Sequence, residues 1–167
     1  MWSLGPMWPM SAGPFYLCGL PTTRPSDPRC KNTRMGSVQK SVATLRIWAD
    51  DLVPDQVSSQ LGCPPTASHQ KGDTIVGGRT SRTGKWSLRS TDHEPENLDA
   101  QIVEILSKVT NDMNVWGNLV SRYRVDLFCG LFMASENDGI TLSSSSLTAL
   151  GQRGIELSLD IYGPEEV

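Results

Sequence analysis

The sequence has little of what enzyme chemistry is usually built from. Only two histidines occur in 167 residues, His69 and His93, and neither belongs to a His-Glu-x-x-His pair. That excludes a zinc hydrolase of that type. There is no Gly-x-Ser-x-Gly elbow, so a serine triad has no support. The four cysteines, Cys18, Cys30, Cys63 and Cys129, form no Cys-x-x-Cys. They read as free thiols in a reducing compartment rather than as a disulfide framework. No run approaches the roughly 18 apolar residues of a membrane span. The expectation is a cytoplasmic protein with no catalytic residue, no metal, no cofactor and no membrane partner.

Acids and bases are unevenly spread. Residues 1–34 hold six of the eleven prolines, two of the five tryptophans, four bases and one acid, a balance of +3. No stretch there keeps a helical or strand period. The remaining 133 residues carry eleven bases against seventeen acids, or -6. An acidic domain repels phosphate backbones, so nucleic acid is not an expected partner. The break predicts a disordered leader over 1–34, an upstream extension ahead of a true start at Met35, and one domain over 35–167. Mass spectrometry of the native N-terminus tests this; a native peptide from residues 11–30 would end it.

From residue 41 the chain alternates like a folded domain. Ala43, Leu45, Ile47 and Ala49 share one face of a strand, with Thr44, Arg46 and Trp48 opposite; period two with one apolar face means a half-buried strand. Pro54 opens a short helix that Gly62 closes. Residues 63–83 read as a long irregular loop. A strand over Lys85–Arg89 follows, then a helical stretch from Pro95 whose apolar stripe is Leu98, Ile102, Ile105, Leu106 and Val109. A second helical piece carries Val115, Trp116, Leu119 and Val120. Residues 125–133 form the longest strand. Glu136-Asn137-Asp138-Gly139 reads as a hairpin turn, with Ile140–Leu142 pairing back. Ser143 or Ser144 caps a helix with Leu147 and Leu150. A last strand runs through Ile155, Leu157, Leu159 and Ile161. This order predicts an α+β fold: a mainly antiparallel five-stranded sheet with helices packed on one face, a ferredoxin-like arrangement being the nearest named topology.

Two surfaces are candidates. Gly78-Arg79-Thr80-Ser81-Arg82-Thr83-Gly84-Lys85 looks like a phosphate loop and fails as one. Its glycines stand one residue too far apart, Trp86 replaces the magnesium-binding hydroxyl, and a strand follows instead of a helix. The same segment, with Lys71, still concentrates bases in an acidic domain. Arg79, Arg82 and Lys85 are therefore candidates for a small anion, the plain alternative being a solvated flank. The second surface is the outer sheet face: Arg46, Trp48, Phe128, Phe132 and Tyr162, beside Glu156 and Asp160. Aromatics interleaved with charges on an uncovered sheet mark a partner site; the alternative is that a helix or the long loop covers them.

Several pieces together resemble one family. They are Leu45-Arg46-Ile47, Leu52-x-Pro54, Leu61-Gly62, Gly72, and Arg82-x-Gly84-Lys85-Trp86-Ser87-Leu88. The acidic helix from Leu98 and the closing Leu142-Ser143…Leu147…Leu150-Gly151…Leu159-Asp160-Ile161-Tyr162 complete the set. This resembles the bacterial domain of unknown function 4279 family over roughly residues 41–163. The resemblance implies a small bacterial single-domain protein and brings no catalytic residues. The expected function is binding of a protein partner or self-association, as an immunity-like inhibitor or adaptor; a small-anion binder comes second, an enzyme third.

Overall fold

The computed structural model describes residues 36–164; the expected leader lies outside them. In chain order the elements are β1 (Gly36–Ser37), β2 (Lys40–Ala49), α1 (Pro54–Leu61), β3 (Ala67–His69), β4 (Thr74–Ile75), β5 (Arg79–Thr80) and β6 (Gly84–Arg89). Then follow α2 (Leu98–Lys108), α3 (Met113–Arg122), β7 (Arg124–Phe132), β8 (Asp138–Gly139), α4 (Ser144–Gln152) and β9 (Glu156–Tyr162). The main sheet runs β3-β6-β2-β7-β9. Every pair in it is antiparallel except β7 with β9. The fold is α+β.

The alternating strands pack as their periodicity requires. Ala43, Leu45, Ile47, Trp86, Leu127, Cys129 and Leu131 are buried on one face. They form a single core with Val57 and Leu61 of α1, Leu98, Ile102 and Ile105 of α2, Trp116 and Leu119 of α3, and Leu150 of α4. The buried tryptophans keep their polar edges satisfied: Trp86 Nε1 donates to Ser58 Oγ at 3.1 Å and Trp116 Nε1 to the Thr110 carbonyl at 2.8 Å.

The caps fall largely where the sequence places them. Pro54 stands in the first turn of α1, and Gly62 ends it at φ 71°, a left-handed conformation that favours glycine. Ser143 caps α4, its hydroxyl accepting from the Ser146 amide. The second helix differs: it starts at Leu98, because the Asn97 side chain, not Pro95, accepts from the Ala100 amide.

The fifth strand is not the expected one. Residues 138–139 are a short strand, β8, pairing in parallel with β1, and Ile140–Leu142 joins no strand. No hairpin forms there, since the Asp138 carboxylate accepts from the Ala134 and Ser135 amides and holds the loop against the end of β7. The true fifth strand is β3, inside the supposed irregular loop, hydrogen-bonded to β6 along the sheet edge. Residues 74–80 add a small β4–β5 hairpin.

A ferredoxin-like sheet separates the two strands of each half by a strand of the other. Here β2 lies directly beside β6, and β7 beside β9. Helix α1 spans only about 12 Å, against about 33 Å for β2. The chain therefore re-enters at the end where β2 finished, with Ala49 opposite Gly84. Gly84 has a steric role: a Cβ there would run into the Leu52 carbonyl oxygen. This close approach explains the glycine two residues before buried Trp86.

Candidate functional site

The outer sheet face carries no helix among the described residues. Its register is fixed by β2, which places Trp48 between Lys85 of β6 and Arg124 of β7, and Arg46 between Ser87 and Asp126. The Arg46 guanidinium forks onto Asp126: Nε donates to Oδ1 at 2.8 Å, and a second nitrogen to Oδ2. Ser158 Oγ of β9 also donates to Asp126 Oδ2, at 2.8 Å. Asp126 is 2% exposed, so this carboxylate is the buried anchor of the face. Arg46 lies 4.2 Å from the Phe128 ring centroid and 5.3 Å from that of Trp48. The rings sit within cation–π range of the charge.

A second aromatic cluster stands further along β7. Phe132 and Tyr162 stack at 4.8 Å with their planes 9° apart. Both rings lie beside Gly130. Tyr162 donates its hydroxyl to Asp160 at 2.7 Å, which holds the phenol above the usual tyrosine range. Both rings remain exposed, Phe132 by 37% and Tyr162 by 44%. The five aromatic and basic residues expected on this face are thus all there, in two groups. Arg46, Trp48 and Phe128 form a half-buried group around Asp126. Phe132 and Tyr162 form an exposed group.

The basic candidates part company. Arg79 and Arg82 are exposed and line a shallow recess of about 470 Å³ with Ile75, Thr80 and Ser81. Lys85 lines a different recess, of about 230 Å³, with Arg46, Trp48 and Thr83. Burial, and then the Arg46 charge, push its ammonium below the usual lysine range, with Asp126 pulling the other way. Lys71 is paired with Asp50 at 2.9 Å. Sequence reasoning missed Arg124, which stands beside Trp48 on the far side from Lys85 and lines a neighbouring recess of about 440 Å³. The strand there reads as starting at Val125, and only the register shows Arg124 facing outward with Trp48.

Among the described residues no three His, Cys, Asp or Glu side chains group closely enough to hold a metal ion. His93 bridges to Ser41 through the backbone, and His69 ends β3. Asp51 pairs with Arg122 at 2.8 Å. No helix of the described residues is long and apolar enough to cross a membrane.

The family described as a domain of unknown function, DUF4279, matches residues 39–164. The chain belongs to this family. The matched span starts just before β2 and ends just after β9, so it takes in the whole five-stranded sheet and its four helices. No curated protein and no solved structure matches the chain.

Proposed function

We propose that this DUF4279 domain works by binding a protein partner through the outer face of its sheet, in an immunity-like or adaptor role. One observation carries the reading: the stacked Phe132–Tyr162 pair stands exposed on a sheet face that no described helix covers. Aromatic side chains bury much apolar area at little entropic cost and are enriched at the centres of interfaces. Further along the same face, Asp126 ties β2 to β9 through Arg46 and Ser158, which helps to preorganise the sheet.

The test is capture of partners from native lysate by the wild type and by a Phe132→Ser, Tyr162→Ser double variant. Because both rings are partly exposed, the variant keeps its fold by circular dichroism. It is expected to lose the partner that the wild type retains. Equal capture by both proteins would remove the outer face from the function.

A second reading is favoured by a separate observation. Lys85 and Arg124 flank Trp48, and neither is paired with a carboxylate among the described residues. A small anion with a flat body would find cations on both sides of an indole there. Arg79 and Arg82, in their own recess, form the other basic candidate. A thermal-shift panel of nucleotides, phosphosugars and carboxylates tests both. A hit lost in Lys85→Ala but kept in Arg79→Ala places the anion at Trp48, and the reverse places it in the outer recess.

A further inference from the structure

We propose that a second copy of this chain pairs with it along the free edge of β9, joining two five-stranded sheets into one. This rests on the reading of the domain as one that binds protein, and it names the partner.

The two edges of the sheet differ. At one end β3 is three residues long and follows Pro64-Pro65, which blunts it. At the other, β9 runs for seven residues without proline, glycine or lysine. The Tyr162 carbonyl accepts from the Met133 amide, so Tyr162 points its backbone toward β7. Backbone direction alternates along a strand. Leu157, Leu159 and Ile161 therefore turn their amides and carbonyls outward, to the edge, where no described residue meets them.

The side chains of those same residues are unusual. They belong to the helix-covered face, yet Leu159 is 45% exposed and Ile161 59% exposed. Leu147 on α4, the helix that packs on β9, is 51% exposed. The core thus reaches only Leu157 on the sheet's last strand, leaving Leu159 and Ile161 uncovered beside an unpaired ladder. A long apolar edge is a template for another strand.

Its residue order makes β9 complementary to itself. Antiparallel pairing centred on Leu159 sets Leu159 against its own copy, with the two exchanging both backbone hydrogen bonds. Leu157 then faces Ile161 of the second chain. On the outer face Ser158 meets Asp160, and Glu156 meets Tyr162. Apolar opposes apolar, and no two acids are directly opposite, the arrangement that would oppose pairing most. The acids meet only diagonally, so salt is expected to tighten the dimer. A shift of one residue would set exposed leucine against acid.

The experiment is sedimentation velocity on the full chain across a micromolar concentration series. A dimer is expected that Leu159→Lys and Ile161→Lys each weaken by roughly tenfold or more, while Phe132→Ser, on the neighbouring strand, leaves it intact. Both lysine positions are solvent-exposed, so the variants are expected to fold, which circular dichroism checks. A register reporter removes the remaining ambiguity. In a Cys18→Ser, Cys30→Ser, Cys63→Ser background, Leu159→Cys is expected to form an intermolecular disulfide on mild oxidation, since facing Cα atoms stand about 5.5 Å apart, within disulfide reach. A dimer lost in Phe132→Ser but kept in Leu159→Lys overturns the edge pairing and leaves the outer-face reading standing. A monomer at every concentration, with the edge amides protected from exchange, puts another segment on β9 and overturns it too. In that case the capture experiment still decides the outer face by itself.

Discussion

Arg46 and Asp126 are unequal partners. Arg46 keeps 26% of its side chain exposed, while Asp126 keeps 3%. Removing Arg46 strands a carboxylate under the sheet surface with Ser158 as its remaining side-chain donor. Removing the Asp126 charge leaves a guanidinium that can turn to water and to two ring faces. Arg46→Met is therefore expected to cost about 3 kcal/mol and Asp126→Asn about 1–2 kcal/mol; urea unfolding measures both, and an equal or reversed order would contradict the asymmetry. Cys129 offers a second check at this scale. Burial, and then the Asp126 charge, push its thiol up to about 12. Only the thiolate reacts. Alkylation read by mass spectrometry should modify half-buried Cys63 in the native protein and Cys129 only after unfolding. Period two along the 125–133 strand sets Cys129 on the same face as Leu127 and Leu131, so its burial follows from the alternation. Nothing in the sequence hints at Gln101, fully buried on the apolar stripe of α2. Its amide reaches the Ser41 and Thr91 carbonyls, and its oxygen accepts from Ser41 Oγ at 2.7 Å. A glutamine interrupting a stripe looks solvent-facing until its partners on β2 are known.

Helices α2 and α4 are joined by one carboxylate. Asp99 accepts from the Ser143 amide and hydroxyl, at 3.2 and 3.0 Å, where Ser143 caps α4. The Ser146 hydroxyl first, and then the Ser143 amide and hydroxyl, hold Asp99 below its ordinary value of 3.8, with burial acting upward. A depressed folded pKa adds stability that is complete above 3.8 and fades as pH falls through the lower, folded value. Asp99→Asn should thus cost about 1 kcal/mol at neutral pH after allowance for solvent. The difference should shrink as the pH falls below 3.8, and denaturant unfolding at neutral and at acid pH tests it. Ser143 as a cap was readable from a serine run before an apolar period. Its tie to Asp99 was not, because 44 residues separate them. The same limit applies to β3. Ala67-Ser68-His69 has no alternation of its own and becomes a strand only because β6 offers it a ladder.

At the scale of the molecule, the core of the described residues runs from Val38 to Ile155. A chain starting at Met35 is therefore expected to unfold cooperatively at the same temperature as the full chain, which calorimetry measures; a markedly lower midpoint would assign residues 1–34 a part in the fold. The alternation of β2, β6 and β7, the stripe of α2 and the glycine after α1 determined by themselves that this chain is an α+β domain with one greasy sheet face. Apolar period and local caps act between near neighbours, so they are written in the order of residues. Tertiary structure alone decided that β9 lies parallel to β7 at an edge, with Leu159 and Ile161 half uncovered. It alone set Arg124 and Lys85 on either side of Trp48. Register and strand order come from which surfaces find each other across the chain, and the helical cover over β9 gives out beyond Leu157, leaving bare what the period alone would have buried.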